Sequence, residues 1–462
     1  MDTSLYNIEP REFRIIDRHE VDNNVTYDLE PVESPEVCST CGFDTLIHYG
    51  RADRKVRDLN EFSKHVGLII HSHRFHCNNC EVTFVPSYKS VDDKARMTNR
   101  MRDYIRTSSL SVPFSKIKAE LDVSVPTIKD IFADYVAELD SKHKLVAPKV
   151  LGMDENYLNS QYRCIYTDVE NGLIIDLTSD RKLRTVQNWI SRLPQKDRVE
   201  CVTMDMWGCY RDAVNGELPE VVVIVDKFHV IKNLNEALDR TRKATREKLT
   251  PAQIKEVKNS RWLLLRNSDD LSESDKIRLE ILLTNYPQFR EPYELKESFR
   301  KIYEKTDRNA AEDYFDEWKV GAVKYPLFKE FVDTVENWRT EIFNYFDHNY
   351  TNAVTEALNA VCKEIAAIGR GYTFDVLRAK ILYGTKATKP AKYTFYTEAK
   401  PDKIEDLPEY IKRKGGVYAL QDFRMGFMTP ETQKKRIDVS SGTDIRLLQY
   451  YMRMSNFWEL KP

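Results

Sequence analysis

The order of strands and helices between residues 149 and 248 constrains the fold of this 462-residue chain more than any other feature. Asn-Gly is a strong hairpin signal, and Glu170-Asn171-Gly172 separates two alternating apolar segments. Periodicity predicts three strands, a helix, a strand, a helix, a strand and a helix, in that order, over 149–156, 162–168, 173–177, 183–193, 199–204, 207–214, 221–225 and 230–248. A hairpin followed by crossover units predicts a mixed sheet covered by helices.

Two acidic residues occupy positions that such a fold would bring together. The order is that of the ribonuclease-H-like fold, in which the ends of the first and fourth strands lie side by side. Asp154 ends the first predicted strand and Asp205 ends the fourth, so both carboxylates are expected to reach one metal cluster. A small set of hard oxygen ligands suits Mg²⁺, and two such ions about 4 Å apart serve phosphoryl transfer. A single Asp at a strand end is more often a helix cap, and the neighbouring Glu155 is interpreted as a solvated acid.

Four of the eight cysteines form two matched pairs, Cys38-Ser-Thr-Cys41 and Cys77-Asn-Asn-Cys80. Two-residue spacers let both thiolates of a turn reach one tetrahedral ion, so the pairs predict one structural Zn²⁺ in a zinc ribbon. Strand-like segments between the pairs are expected to form a long central hairpin of that ribbon. The remaining cysteines are expected in the core, and three histidines near the second pair on a strand face or facing DNA: Cys164, Cys201, Cys209, Cys362, and His71, His73 and His76.

Two short helices are predicted after the cysteine pairs. Apolar residues recur at helical spacing from Phe114 to Leu121, Asp122-Val123-Ser124 interrupts the pattern, and Ser124 is a suitable N-cap for a second helix. Such a pair matches a helix–turn–helix whose second helix enters the major groove of DNA, although an ordinary helical hairpin has the same pattern. Candidate DNA-binding residues here are Ser124, Thr127, Lys129, Arg100 and Arg102.

The total charge excludes little, because 71 Lys and Arg stand against 73 Asp and Glu. This sum hides a local excess at 89–118, where eight basic residues accompany three acids. A composition of 41% hydrophobic and 31% charged residues fits a folded protein and excludes a disordered or collagen-like chain. No run approaches 18 apolar residues and no secretory signal opens the chain, so a cytoplasmic protein without a membrane partner is expected.

Beyond residue 250 the pattern is helical for about 100 residues, and a further helix is predicted over 351–368. Glu356 lies off the apolar stripe of that last helix, close to Asn352, Asn359 and Lys363. This polar stripe fits a solvated face, and it fits equally a catalytic face laid against the sheet.

Several blocks of the chain resemble, in order, those of one family of bacterial insertion-sequence transposases, the ISL-three family, which are DDE transposases. The blocks are DENYLNSQYRCIYTDVENGLIIDL, VTMDMWGCYRDAV, VVVIVDKFHVIKNLNEALDRTRK and TNAVTEALNAVCKEIAAIGRGYTFDVLRAKIL. The segment CSTCG…FHCNNC resembles the zinc-binding domain of that family, and SSGTDIRLLQYYMR resembles its C-terminal end.

The resemblance implies that Asp154, Asp205 and Glu356 are the catalytic residues and bind two Mg²⁺ (or Mn²⁺) ions. The 151 positions from Asp205 to Glu356 then correspond to an all-helical insertion before the last catalytic helix. Related families carry Cys or Asp, two residues, then His after the second Asp, as Asp226 and His229 do here. Because the fourth strand adjoins the first in this fold, Asp205 is preferred over Asp226 as the second acid. Asp226 and His229 are then supporting residues, although His229 also fits a simple helix-start residue.

The implied reaction is metal-dependent cleavage at the terminal inverted repeats, followed by strand transfer of the released 3′-hydroxyl into double-stranded target DNA. Acting at two ends predicts a homodimer on DNA, in the bacterial cytoplasm and associated with the nucleoid. Candidate phosphate contacts in the later part of the chain are Arg240, Arg242, Lys243, Arg370 and Arg378. A DNA-binding regulator derived from a transposase, and a structure-specific nuclease of the same fold, remain alternatives.

The predicted architecture is therefore multidomain α+β, with a ribonuclease-H-like α/β catalytic domain interrupted by an all-α insertion. The expected domains are a zinc-binding domain (1–88) and a helix–turn–helix domain (89–146), followed by the first part of the catalytic core (147–248). The helical insertion (249–347), the last part of the core carrying the Glu (348–385) and a tail (386–462) complete the chain.

Overall fold

A computed structural model describes residues 12–247, 249–259, 261–369 and 371–384. These residues divide into two compact units, of which the first comprises 12–143 with 383–384 and the second 144–382. The predicted tail at 386–462 and Arg370 lie outside the described residues.

Seven strands of the first unit form two sheets. One sheet has the order β1-β2-β5-β4 and the other β3-β6-β7. The strands are β1 Phe13–Val21, β2 Asn24–Pro31, β3 Leu46–Arg51, β4 Arg54–Glu61, β5 Lys64–Ile70, β6 His73–Cys77 and β7 Thr83–Phe84. The prediction of one long hairpin between the cysteine pairs is wrong, because β4 and β5 leave the ribbon and join the sheet of β1 and β2. The physical reason is the parallel pairing of β5 with β2, from His65 opposite Asn24 to Ile70 opposite Leu29.

Period-2 alternation explains how the four-stranded sheet is stabilised. Val25, Tyr27 and Leu29 point to the same side of β2, and all three are buried. Residues of β5 with the same spacing pack against them and close a separate core that includes Val66, Leu68 and Ile70. The sheet therefore has an apolar core of its own.

Three helices follow in the first unit: α1 Asn99–Ser111, α2 Phe114–Leu121 and α3 Val125–Lys142. The break between α2 and α3 lies where the sequence predicts it, since Asp122 adopts a left-handed φ of 51° and the Ser124 hydroxyl accepts the Thr127 N–H. The guanidinium of Arg57, on β4, donates hydrogen bonds to the carbonyls of Leu121 (2.6 Å) and Asp122 (2.7 Å). These bonds satisfy the carbonyl end of α2.

A five-stranded mixed sheet organises the second unit, with the order β10-β9-β8-β11-β12. Its elements are β8 Val150–Leu158, β9 Gln161–Asp168, β10 Leu173–Leu177, α4 Leu183–Ser191, β11 Cys201–Met204, α5 Gly208–Glu217, β12 Val222–Val225 and α6 Lys227–Arg246. The first three strands pair antiparallel, whereas β8–β11 and β11–β12 are parallel. Gly172 turns the β9–β10 hairpin at a positive φ of 63°, which favours glycine. The strand order places the Asp205 strand next to the Asp154 strand.

Helices make up the described elements of the second unit after β12. They are α6 followed by α7 Pro251–Asn259, α8 Arg261–Leu265, α9 Glu273–Asn285, α10 Arg290–Arg300, α11 Arg308–Ala322, α12 Pro326–Asn337, α13 Arg339–His348, α14 Ala353–Gly369 and α15 Phe374–Ala379. A π-helical turn, Lys380–Gly384, begins in this unit. Aromatic side chains fill the core between α10 and α13, where Phe299, Phe315, Phe328 and Phe343 are fully buried. These aromatic residues stabilise helix packing. Helix α13 contacts the edge strand β12, whereas α14 contacts the central strand β8.

Helix α14 packs directly on β8 because Gly152 has no side chain. A Cβ atom at residue 152 would lie 2.2 Å from the Thr355 hydroxyl and 2.3 Å from the Thr167 hydroxyl. These two hydroxyls are hydrogen-bonded to each other at 2.7 Å, so neither moves freely. The close approach of α14 to the sheet therefore depends on glycine at this position.

We expect Gly152→Ala to destabilise the protein by about 1–3 kcal/mol, because overpacking forces helix and strand apart. Thermal unfolding followed by circular dichroism measures the effect. Gly321→Ala is the matched control, since its added Cβ would meet only the Leu295 side chain at 3.6 Å. Inside α11 that control is expected to be neutral or to raise the melting temperature. An equal response of the two variants would contradict the close-packing argument.

Candidate active site and metal centres

The sulfur atoms of the four paired cysteines form one compact group. Cys38 Sγ lies 3.7 Å from Cys80 Sγ, and Cys41 Sγ lies 3.6 Å from Cys77 Sγ. All four sulfurs fall within 4.8 Å of one another. Tetrahedral zinc with 2.3 Å bonds separates its sulfurs by about 3.8 Å, so the spacing fits that ion.

Backbone groups favour the thiolate form that zinc requires. The N–H of Cys80, and then that of Asn79, lower the pKa of the Cys77 thiol to about 6. Backbone N–H groups of Cys41 and Thr40 likewise lower the pKa of Cys38. The N–H of Val82 favours the Cys80 thiolate, yet burial and then the thiols of Cys41, Cys38 and Cys77 raise the pKa of Cys80 to about 12. The donor set of four cysteines is that of a structural zinc site.

A second cluster consists of acidic residues at the carboxyl ends of the parallel strands. Asp205 directly follows β11, and Asp226 directly follows β12. Asp154 does not end its strand as predicted, because β8 continues to Leu158 through pairing with β9. It still lies beside Asp205, since Thr203 is in register with Gly152 and both chains continue by two residues.

Glu356 and His229 complete this cluster from two helices. Glu356 lies in the first turn of α14 and His229 in the first turn of α6. The Nδ1 atom of His229 lies 2.7 Å from an Asp205 oxygen, 3.6 Å from Asp226 and 4.0 Å from Glu356. The ligand atoms of Asp226, His229 and Glu356 all lie within 4.8 Å of one another.

Burial and mutual repulsion dominate the electrostatics of the cluster. Burial, followed by the charge of Asp205, raises the pKa of Asp154 to about 9. Burial, followed by the charge of Asp226, raises the pKa of Glu356 to about 8. Burial opposes the charged form of His229, yet its contacts with Asp205 and then Asp226 raise its pKa to about 10.

Several polar atoms of the cluster are left without hydrogen bonds. Asp205 Oδ1 and Asp226 Oδ2 are buried and have no partner of hydrogen-bonding geometry among the described residues, despite the proximity of His229. Buried carboxylate oxygens are costly unless a proton or a cation balances them. The donor set of four carboxylates and one imidazole fits divalent cations, which favour oxygen ligands.

Three asparagines, one on α14, one on β8 and one immediately before α14, fix the geometry of the cluster, and the sequence analysis gave none of them an individual role. Asn359 donates to an Asp154 oxygen at 2.6 Å, and Asn156 donates to the Asn359 side-chain oxygen at 2.8 Å. Asn352 donates to the Met153 carbonyl at 3.2 Å and accepts from Thr203. The polar stripe around Glu356 was the available signal, and its asparagines are buried against the sheet rather than solvated.

Candidate DNA-binding residues near the first unit's helices differ in their accessibility. Ser124, Thr127 and Lys129 lie in the first turn of α3 or immediately before it, and Lys129 is exposed. Arg102 is partly exposed and lies 3.2 Å from Asp92. Arg100 instead donates to the fully buried side chain of Asp58, so its charge already has a partner.

The candidate phosphate contacts in the second unit also differ in their accessibility. Arg240 and Lys243 keep exposed side chains on α6, although each has an acidic partner. Arg242 is instead buried and bonded to Asp239 at 2.7 Å, so its charge already has a partner. Arg378 donates to Asp176 at 2.7 Å and thereby connects α15 to β10.

Comparison with known proteins agrees with this architecture. A family profile described as transposase, for the ISL-three group of DDE enzymes, matches residues 151–381. A second profile, the zinc finger of transposases of IS204, IS1001, IS1096 and IS1165, matches residues 34–80. The chain belongs to the ISL-three family of transposases. The two matched ranges contain the carboxylate cluster and the four cysteines, respectively.

Individual relatives support the same family. The transposase for insertion sequence element IS1001 of Bordetella parapertussis is 23% identical over 354 residues, which cover 74% of this chain and 87% of the relative. Transposases for IS1557 from two Mycobacterium tuberculosis strains are each 21% identical over 276 residues, covering 53% of this chain and 62% of the relative.

Among the described residues of this transposase, no helix combines the length and apolarity that a membrane crossing needs.

We expect the purified transposase to contain about one zinc ion per chain, bound by the four cysteines. Cys77→Ser should lower the zinc content and unfold the ribbon, because structural zinc contributes folding free energy directly. Atomic absorption measures the metal, and limited proteolysis reports the ribbon. Cys209→Ser is the matched control, since Cys209 is a partly exposed thiol outside the cluster. Full zinc content in Cys77→Ser would contradict the assignment.

We also expect added Mg²⁺ or Mn²⁺ to raise the melting temperature, and to raise it more near pH 8.5 than near pH 6.5. The folded chain holds protons on Asp154 up to pH about 9 and on Glu356 up to about 8, whereas their ordinary pKa values are 3.8 and 4.5. His229 acts in the same direction between its ordinary 6.5 and about 10. The metal-free protein therefore loses stability as pH rises through this range, and cations replace the released protons.

Differential scanning fluorimetry at the two pH values measures this effect. Glu356→Gln should reduce the gain from metal, whereas Asp333→Asn, at an exposed position on α12, should not. A gain that is the same at both pH values, or that survives in Glu356→Gln, would refute the prediction.

Proposed function

We propose that this chain binds the terminal inverted repeats of an insertion sequence and catalyses metal-dependent DNA cleavage and strand transfer. The observation that carries the proposal is the convergence of Asp154 from the middle of β8, Asp205 from the end of β11 and Glu356 from a distant helix. In this assignment the three carboxylates are the catalytic residues, and Asp226 and His229 support them.

The same carboxylates are the proposed ligands of two Mg²⁺ or Mn²⁺ ions. When bound, such ions supply charge neutralisation and orientation for in-line displacement at a phosphodiester. The chain's own contribution is to hold the oxygens in place before substrate arrives. Asn359 does so by donating to Asp154, while the Glu155 N–H donates to the other Asp154 oxygen at 2.7 Å.

His229 is proposed as a positioning residue that also stores a proton. Its Nδ1 atom lies among the oxygens of Asp205, Asp226 and Glu356, so a proton there offsets part of their repulsion. Placement at the start of α6 fixes the ring relative to Asp226, which begins that helix. His229 thereby holds the second and third acids at a defined separation.

DNA binding is proposed for the zinc ribbon and for α2 and α3 acting as a helix–turn–helix. The exposed side chains Lys129, Arg102, Arg240 and Lys243 are the proposed phosphate contacts. Arg102 and Arg240 form exposed ion pairs worth at most about 1 kcal/mol each, so these two cations can exchange an acidic partner for a phosphate. Binding should consequently weaken steeply as salt concentration rises.

The remaining organisation follows from this function. We propose a zinc ribbon at 1–88, a helix–turn–helix domain at 89–146 and the first part of the catalytic core at 147–248. We propose the helical insertion at 249–347, the last part of the core at 348–385 and the tail at 386–462.

Processing two element ends in one reaction requires two active sites, so we propose a homodimer on DNA.

We expect purified protein, supplied with Mg²⁺ or Mn²⁺, to nick labelled duplexes at a repeat boundary in the DNA flanking its own gene. Asp154→Asn, Asp205→Asn and Glu356→Gln should each reduce the cleavage rate by about 100-fold or more, because each removes a charge from the reacting centre. Specific binding to the repeat should persist in all three variants. Denaturing electrophoresis measures the cut, and fluorescence anisotropy measures binding.

Asp333→Asn is the control for a carboxylate outside the site and should retain the wild-type rate. Retention of that rate by any of the three cluster variants would overturn the catalytic assignment. Specific binding without cleavage by the wild type would favour a regulator, and cleavage that ignores the repeat would favour a nuclease.

A further inference from the structure

Three exposed aromatic side chains belong to residues close in sequence or strand pairing to the carboxylate cluster, on β8, on β9 and just after Asp205. Tyr157, Tyr162 and Trp207 have exposed fractions of 54%, 47% and 40%. Tyr157 and Tyr162 are cross-strand partners on β8 and β9, with ring centroids 4.8 Å apart. Large aromatic residues at such exposure are characteristic of binding surfaces.

Arg181 holds two of these rings in a fixed arrangement. Its guanidinium carbon lies 4.4 Å from the Tyr162 ring centroid and 4.3 Å from that of Trp207. Glu155 forms an ion pair with the same guanidinium. The sequence analysis interpreted Glu155 as a solvated acid, whereas its ion pair anchors the aromatic cluster, which consists of Arg181, Tyr162 and Trp207.

Stability alone gives a weak reason for this arrangement. A partly exposed ion pair contributes about 0–1 kcal/mol, and an exposed cation–π contact about 0.5–1 kcal/mol. Arg181 is also a poor phosphate ligand, because Glu155 balances its charge and two rings lie within cation–π distance of it. The exposed ring surfaces are the part of the cluster that remains available to a ligand.

The aromatic cluster is close in sequence to two of the proposed catalytic residues. Glu155 follows Asp154, and Trp207 lies two residues after Asp205, with its N–H donating to the Asp205 carbonyl at 2.7 Å. Two residues span at most about 7 Å, and stacked nucleotides are about 3.4 Å apart. The backbone of Trp207 therefore lies within about two nucleotide spacings of the backbone of Asp205.

We propose that Tyr162 and Trp207, braced by Arg181, form a stacking platform for an unpaired DNA base next to the cleaved phosphodiester. This inference rests on the proposed function. Every base presents a π-face, so the platform would accept any base at that position. Its role is to hold the opened strand end while the carboxylates act on the neighbouring phosphate.

The platform is tested by comparing DNA with and without the unpaired bases, and protein with and without the aromatic ring. The probe is a pre-cleaved repeat end with two unpaired nucleotides beyond the cut, compared with the same end carrying abasic sites there. Fluorescence anisotropy at one fixed salt concentration, without added Mg²⁺ or Mn²⁺, measures affinity independently of catalysis. Wild type should bind the base-bearing end about fivefold or more tightly than the abasic end.

Trp207→Ala and Tyr162→Ala should lose this preference while still binding the duplex repeat. Trp207→Phe should keep much of it, because the ring is retained, and this variant separates stacking from a folding defect. Trp262→Ala is the matched control, since Trp262 is another exposed Trp beside an Arg and lies on α8.

Equal preference in wild type and Trp207→Ala would overturn the platform, as would a wild type that binds both ends equally. Both results leave repeat binding and cleavage intact and so do not touch the proposed function. Absence of specific binding to any repeat end would overturn the proposed function, and the platform with it.

Discussion

The hydrogen bonds that fix helix α14 on strand β8 decide whether the carboxylate cluster exists. Asn359 and Asp154 are 205 positions apart in the chain, and their contact is 2.6 Å long. Glu356 lies one turn earlier on the same helix, so its position depends on this contact and on the absence of a side chain at Gly152. The helices between α6 and α13 must therefore return the chain to the sheet at the position where α14 can pack on β8.

Charge is the second constraint, and it opposes the first. Two like charges 4 Å apart repel by about 4 kcal/mol at an effective dielectric constant of 20, and this cluster contains four carboxyl groups. One imidazolium offsets only part of that repulsion. The metal-free chain responds by retaining protons, as the raised pKa values of Asp154 and Glu356 show. A site that keeps its carboxylates together at this cost is suited to cations, which balance the charge without moving the backbone.

Local patterns predicted those elements whose ends are determined locally. Ser124 starts α3 through its own side chain, and the Asn-Gly hairpin requires only adjacent strands. Two strand pairings were not predicted: β8 extends past Asp154 because Tyr157 pairs with Tyr162 in a tight local hairpin, and β5 leaves the ribbon because of its non-local pairing with β2. The position of Arg242 was missed for a related reason, since burial depends on the helices packed around it and not on its own charge pattern.

The choice between Asp205 and Asp226 shows where family logic and geometry differ. Strand order favours Asp205, because β11 adjoins β8, whereas Asp226 is the aspartate whose ligand atom lies within 4.8 Å of those of both His229 and Glu356 in one group that could hold a metal ion. These two observations conflict only if one of the two aspartates alone must be functional. Asp205 is the main charge acting on Asp154, and Asp226 is the main charge acting on Glu356. The cluster thus consists of two acidic pairs with His229 between them, an arrangement that supports the proposal of two cations and of a role for each aspartate.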